Sequence, residues 1–261
     1  MKIAIIYNPK TNKYQETLNA LVNILKPTGN EFDVFDMENL KRGFDFAFVI
    51  GGDGTILKAA RFYSEEETVI MGINTGRLGF LSQAGVSELS KITNAVLNNK
   101  IKTETRIMIK TEDYSALNDI VIKGYSNSRT LKFYLKINNK FVCDYVADGL
   151  IVATPTGSTA YGLSAGGPVL TPELNALVIV PICPHTLTAR PIVVPANEKI
   201  TITAAEGDLT IITDGIDTGL RKNIVDIHVS ERMAKLAFLE DENFYTVLRN
   251  KLHWGVSPVN N

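Results

Sequence analysis

An N-terminal α/β domain with an open, Rossmann-like sheet, followed by a mostly antiparallel β-rich domain and closed by a C-terminal helix, is the fold the sequence predicts. Three observations predict it. Strand and helix patterns alternate over the first hundred residues, short β-rich runs replace them from about residue 101, and a helical pattern returns from 241. With 261 residues, 45% of them hydrophobic and 21% charged, the chain is long enough to bury two cores. The expected division is 1–100, 101–240, and a closing segment 241–261 that packs back on the first domain.

In order, Lys2-Ile3-Ala4-Ile5-Ile6-Tyr7 reads as a strand over 3–7 and apolar residues at helical spacing mark a helix over 14–25. Residues 32–35 and the continuous apolar run 46–50 are strands, a helix starts at Thr55, 69–73 is a strand and 86–97 a helix. Beyond residue 100, short β-prone runs lie at 106–111, 120–123, 131–137, 141–146, 150–153, 192–194, 200–203, 209–212 and 224–229. Asn138-Asn139 between two of them predicts a hairpin turn, and Asp214-Gly215 another tight turn.

Lys plus Arg number 27 and Asp plus Glu 28, a net charge of −1, so the whole-chain charge argues against a nucleic-acid or anionic-membrane partner. Cys143 and Cys183 form neither a Cys-x-x-Cys pair nor a spaced Cys/His zinc pattern, and two reduced thiols are expected. The opening strand is too short for a secretory segment and no apolar run approaches about 18 residues, which predicts a cytoplasmic protein.

Gly51-Gly52-Asp53-Gly54-Thr55 lies between the strand 46–50 and the helix that follows. Glycines without a Cβ let backbone N–H groups approach an anion, and the helix start adds unpaired donors, so Gly51, Gly52, Gly54 and Thr55 form a candidate phosphate loop. Asp53 repels phosphate. A carboxylate there suits a base or a partner to a metal-bound phosphate, which points to phosphoryl transfer; as a plain turn former it would satisfy nearby backbone donors. In an open sheet, ligands lie beyond the carboxyl ends of the strands, where a second loop with Gly72, Gly76 and Gly79, ending in Phe80-Leu81, also falls.

Asp148-Gly149-Leu150-Ile151-Val152-Ala153-Thr154-Pro155-Thr156-Gly157-Ser158-Thr159-Ala160-Tyr161 is another strand running into a turn dense in hydroxyls and glycine, continuing through Ser164 to Gly166-Gly167-Pro168. Such a stretch suits hydrogen bonding to a nucleoside, with Tyr161 able to stack; the plain alternative is a capped turn.

Taken with Leu117-Asn118-Asp119 and Pro184-His185-Thr186-Leu187, these motifs resemble, in order and combination, the motif series of the NAD kinases. The likeness spans nearly the whole chain. It implies transfer of the terminal phosphoryl of ATP or polyphosphate to the adenosine-ribose 2′-hydroxyl of NAD, with Asp53 as general base. It also implies a divalent metal, magnesium, carried with the donor, and a homo-oligomer, dimer or tetramer. Asp53 and Gly54 match the ribose and phosphate loop, Lys58 a nearby basic position, and Phe80 an apolar wall. Asn118 and Asp119 match the nucleotide-gripping pair, Arg129 a position often basic, and Asp148 an acidic dinucleotide contact. Thr159, Ala160, Tyr161 and Ser164 match the loop around adenine and ribose. Solvated helix face is the competing role for Lys58, and core packing for Phe80. His185 is left out of the catalytic set, and its role stays open, a structural residue at the domain junction being the plain alternative.

Two departures stand out. Val146 occupies a position where many relatives carry arginine, which leaves NAD against NADH preference open, and Ile216 stands where relatives often place glutamine. The glycine loop is shared with diacylglycerol-type lipid kinases, so a lipid kinase and a non-catalytic dinucleotide-binding regulator are the alternative readings.

Overall fold

Phe46–Ile50 (β3) is buried at every residue because it is an inner strand of a parallel sheet covered on both faces. This computed structural model describes residues 1–76, 79–125, 130–240 and 243–253; of 83, 84 and 86 only the backbone is described. Around β3 lie β1 (Lys2–Tyr7), β2 (Glu31–Asp36) and β4 (Val69–Ile73), in the order β2-β1-β3-β4, all parallel. A short β5 (Ser82–Ala84) adds to β4. Helices α1 (Tyr14–Leu25) and α3 (Leu89–Leu97) send Leu18, Leu21, Leu25, Ile92 and Val96 into a core with Ile3, Ile5, Phe48, Met71 and Ile73. Between Met71 and Ile73 the pleat turns Gly72 to the other face, where Ile56 of α2 (Asp53–Tyr63) fills the space a Cβ would take.

The second body of structure is antiparallel. Its six-stranded sheet has the order β13-β12-β11-β8-β15-β16. Here β8 is Asp119–Gly124, β11 Gly149–Ala153, β12 Ala176–Ile182, β13 Ile192–Pro195, β15 Leu209–Thr213 and β16 Ile216–Lys222. A second sheet pairs β10 (Lys140–Ala147), β9 (Leu131–Ile137) and β14 (Ile200–Ala204) with the first part of β17 (Ile224–Leu239). The strands β6 (Ile101–Thr111) and β7 (Tyr114–Ala116) pair with each other. Leu150 and Val152 of β11 enter the core shared with Phe133, Leu135, Ile200 and Ile202. Ile151 and Ala153 on its other face pack with Leu170, Val178 and Val180. That second cluster is what seats the hydroxyl-rich turn and the one-turn helix α4 (Tyr161–Ser164) against the sheet.

The chain divides into Met1–Thr105 with Ala234–Asn261, and Arg106–Met233. The sequence places the changes at 100/101 and 240/241. The difference arises because β6 and β17 each run through a boundary, and the last part of β17 pairs Lys235 and Leu236 with Val69 and Ile70 of β4. Sequence reading ends this strand at 229, since the polar Ser230-Glu231-Arg232 breaks the apolar pattern. The closing helix α5 is Phe244–Leu252, and the Asn243 side chain accepts from the Thr246 N–H as its cap. Residues 241–242 of the expected helix lie outside the described residues. Helix α2 begins at Asp53 rather than Thr55, because extended Gly52 serves as its N-cap. The predicted turns at Asn138-Asn139 and Asp214-Gly215 are both left-handed pairs, with φ of 49° and 64°, and of 46° and 79°. Among the described residues no helix is long and apolar enough to cross a membrane.

Candidate active site

The chain order of the first sheet reverses at β1, which is followed by β2 on one side and β3 on the other. Such a switch opens a crevice at the carboxyl ends of the two strands, and the loops leaving β1 and β3 meet there. Asn8 joins them. Its N–H donates to Ile50 O at 3.2 Å and its side-chain amide donates to Thr55 Oγ1 at 3.1 Å. A Cβ on Gly51 would stand 2.7 Å from Thr55 Cβ, so the turn closes this tightly only with glycine.

Asp53, at the first turn of α2, is half-buried and its carboxylate is held by the second glycine loop. The N–H of Phe80 donates to Oδ2 at 2.9 Å and the N–H of Leu81 to Oδ1 at 3.3 Å. Two bonds leave a carboxylate with further acceptor sites, so the group is oriented while still able to take a hydroxyl proton. The loop that holds it is itself braced: Ser82 Oγ accepts from the Gly79 N–H at 2.8 Å and from the Asn74 amide at 3.2 Å. Half-buried Phe80 lies within 6.0 Å of Lys251 Nζ, measured to the ring centroid. Lys58 is ion-paired to Glu38 at 3.0 Å on the outer side of α2, the arrangement its competing surface role requires.

In the antiparallel unit, Asn118, Asp119, Lys123, Ala160, Tyr161 and Gly215 line one cavity of about 390 Å³, with Val121 and Ile212 supplying apolar wall. This volume falls in the range of small-molecule sites. Lys123 Nζ lies 5.7 Å from the Tyr161 ring centroid, and Tyr161 is exposed enough to offer a stacking face. Asp119 is 4% exposed, and burial, with the Asp214 charge adding to it, pushes its carboxyl up to about 7. At neutral pH it therefore spends much of its time as an acid able to donate.

Of the remaining sequence-predicted residues, the Thr159 hydroxyl donates to Thr156 O at 3.2 Å, and Ser164 is exposed at the end of α4. Asp148 does not line the cavity. It precedes β11 whereas Thr154 follows it, and a five-residue strand spans roughly 17 Å. Its Oδ1 accepts from Thr130 Oγ1 at 3.4 Å, and that hydroxyl also lies 3.2 Å from His185 Nε2. Arg129 lies outside the described residues. Val146 and Ile216 are exposed, on β10 and β16 respectively. Among the described residues no group of three or more His, Cys, Asp and Glu side chains is placed to hold a metal ion. Sequence reasoning missed Asn8, whose signal is an Asn-Pro pair directly after β1. It also read Asp214 only as a turn.

The profile of the ATP-NAD kinase N-terminal domain matches residues 33–101 and that of the ATP-NAD kinase C-terminal domain residues 117–240. An NAD kinase of Fusobacterium nucleatum subsp. nucleatum is 36% identical over 264 residues, covering 98% of both chains. That of Ectopseudomonas mendocina is 41% identical over 226 residues, covering 81% of this chain and 76% of its own. Among solved structures, an NAD kinase from Archaeoglobus fulgidus in complex with ATP superposes with a TM-score of 0.82 at 29% identity, covering 97% of this chain and 99% of that one. Yeast NADH kinase complexed with NADH shares the fold, with a TM-score of 0.85 at 24% identity over 98% of this chain and 89% of that one. With both domain profiles matched and a relative aligned end to end, the chain belongs to the NAD kinase family.

Proposed function

We propose that this kinase transfers the terminal phosphoryl of ATP to the adenosine-ribose 2′-hydroxyl of NAD, giving NADP, with Asp53 as the general base. The observation that carries the reading is the Asp53 carboxylate, oriented by the Phe80 and Leu81 N–H groups inside a glycine turn at the switch point of a parallel sheet. A ribose hydroxyl is a weak nucleophile near neutral pH. As the oxygen attacks the terminal phosphorus its proton passes to Asp53, and the bond to the leaving ADP oxygen breaks with in-line geometry. Of the four residues expected to form the phosphate loop, Gly51 and Thr55 have their N–H groups taken by Ile73 O and Gly52 O, each at 2.9 Å, so the donor phosphates are met by Gly52 and Gly54, while Asn118, Asp119, Ala160 and Tyr161 receive the nucleoside. Magnesium travels with the donor as part of the substrate, held by phosphate and water oxygens.

The test is incubation with NAD, ATP and magnesium, reading NADP, with a parallel arm in which polyphosphate replaces ATP. Asp53→Asn is expected to cut turnover by about 10²-fold or more while NAD still binds, the scale of a lost base. Turnover within a few-fold of the parent would remove Asp53 from the reaction. Formation of a chloroform-extractable product instead of NADP would return the reading to a lipid kinase.

The homo-oligomer, dimer or tetramer, that the resemblance implies is supported by the edge strand β10, which leaves Phe141 at 61% exposure and Val142 and Val146 also exposed. Sedimentation velocity tests it.

A further inference from the structure

The peptide groups of Leu117-Asn118-Asp119 are gripped from two directions. On the N–H side a single carboxylate takes three consecutive donors: the Leu117 N–H to Asp214 Oδ2 at 2.9 Å, and the Asn118 and Asp119 N–H groups to Oδ1 at 2.8 and 3.2 Å. On the carbonyl side Thr154 Oγ1 donates to Leu117 O at 2.6 Å and the Thr154 N–H to Asn118 O at 2.9 Å. With the backbone so occupied, this segment has its Asn118 and Asp119 side chains left to present to the cavity they line. Asp214 itself sits in the left-handed turn between β15 and β16, and its N–H donates back to Asp119 O at 3.0 Å.

We propose that Asp214 is a positioning residue for the NAD site: through three backbone N–H groups its carboxylate sets the place and direction of the Asn118 and Asp119 side chains. The inference rests on the NAD kinase reading of the cavity. A turn former alone does not need this residue. Asparagine is at least as good in a left-handed two-residue hairpin turn, because what the turn requires is a short side chain tolerant of positive φ. What asparagine cannot supply is the second acceptor oxygen. In its place stands an NH2 group facing the Leu117 N–H, donor against donor, so the clamp opens on one side while the turn survives. The substitution also takes away the negative charge that faces Asp119, which otherwise has Lys123 of its own strand and Tyr161 of α4 around the same cavity.

Asp214→Asn therefore separates the two roles. The NAD dissociation constant, measured by calorimetry on the full-length protein, is expected to weaken by about 10-fold, the consequence of one charged acceptor lost and one buried N–H left facing a donor. KM for ATP is expected to stay within about 2-fold, with the melting temperature lowered by only a few degrees, the stability cost of that one unpaired N–H. The limb of the pH profile for NAD binding that Asp119 sets should also move to lower pH, since burial still raises this carboxyl but the Asp214 charge that adds to it is gone. Unchanged NAD binding in Asp214→Asn would overturn the proposal, as would a parallel rise in both substrate constants together with a melting temperature lowered beyond that. Asp214→Ala provides a second reading, with a larger loss of NAD affinity expected than in the asparagine variant. Failure of the parent protein to form NADP is a separate outcome that overturns the functional reading instead.

Discussion

A Cβ added to Gly79 would overlap Asp53 Oδ1 and stand 2.6 Å from Oδ2, so the proposed base occupies space that any other residue at 79 would fill. The three atoms nearest such a Cβ all belong to the Asp53 carboxyl group, the end of a side chain that can turn aside. The cost of Gly79→Ala falls on the carboxylate, which has to swing away from the Phe80 and Leu81 N–H groups. Turnover is expected to drop by about 10²-fold, close to that of Asp53→Asn, because both changes remove a correctly placed base. Steady-state kinetics beside a thermal melt checks it. A variant with near-parental turnover would show that Asp53 does not act from this position.

The contact between Gly79 and Asp53 also shows what could be read from the chain in advance and what could not. Glycine runs after apolar strands announce a turn at the carboxyl edge of a sheet, and 46–50, 69–73 and 131–137 have the ends expected from their apolar runs. Nothing local says that residue 79 reaches residue 53, since that contact is made by the parallel pairing of β3 and β4, a tertiary fact. Strand β12 escaped for a similar reason. Its residues Ala176–Ile182 lack alternation because both faces are buried, and Pro181 demotes an apolar run read by itself. Asp214 escaped because Asp-Gly is a sufficient explanation of a hairpin turn, and only the three N–H groups converging on its carboxylate show a second use.

Asp119 makes stability depend on pH in a direction opposite to that of a salt-bridged carboxylate. In the unfolded chain it loses its proton near pH 4, whereas burial pushes the folded group up to about 7. Between these values the folded state holds a proton the unfolded state has released, so stability falls as pH rises from about 4 through about 7. At about 1.4 kcal/mol per unit of pKa, the loss above pH 7 amounts to a few kcal/mol. Asp119→Asn cannot ionise and escapes it. Urea midpoints at pH 5, 6, 7 and 8 should show the asparagine variant gaining on the parent as pH rises. A gap that stays constant across this range would mean that the folded carboxyl titrates like an exposed one.

Gly157 faces Asn118 across a backbone-to-backbone approach. A Cβ at 157 would overlap Asn118 O and come within 2.7 Å of its Cα, and neither atom belongs to a flexible side chain that could turn aside. Gly157→Ala must therefore push the hydroxyl-rich turn and the Asn118 segment apart. That strains the Thr154 N–H bond to Asn118 O and the 3.1 Å bond from the Gly157 N–H to Thr154 Oγ1. Overpacking of this kind costs about 1–3 kcal/mol of stability, and the displaced wall carries Ala160 and Tyr161 of the nucleoside cavity with it. Both a lower melting temperature and weaker NAD binding are expected. In Gly79→Ala the loss falls on turnover with NAD binding kept, so the pair of glycine variants divides base placement from nucleotide grip. If Gly157→Ala lowers the melting temperature but binds NAD as the parent does, the turn after β11 is structural and the cavity is not where the nucleoside sits.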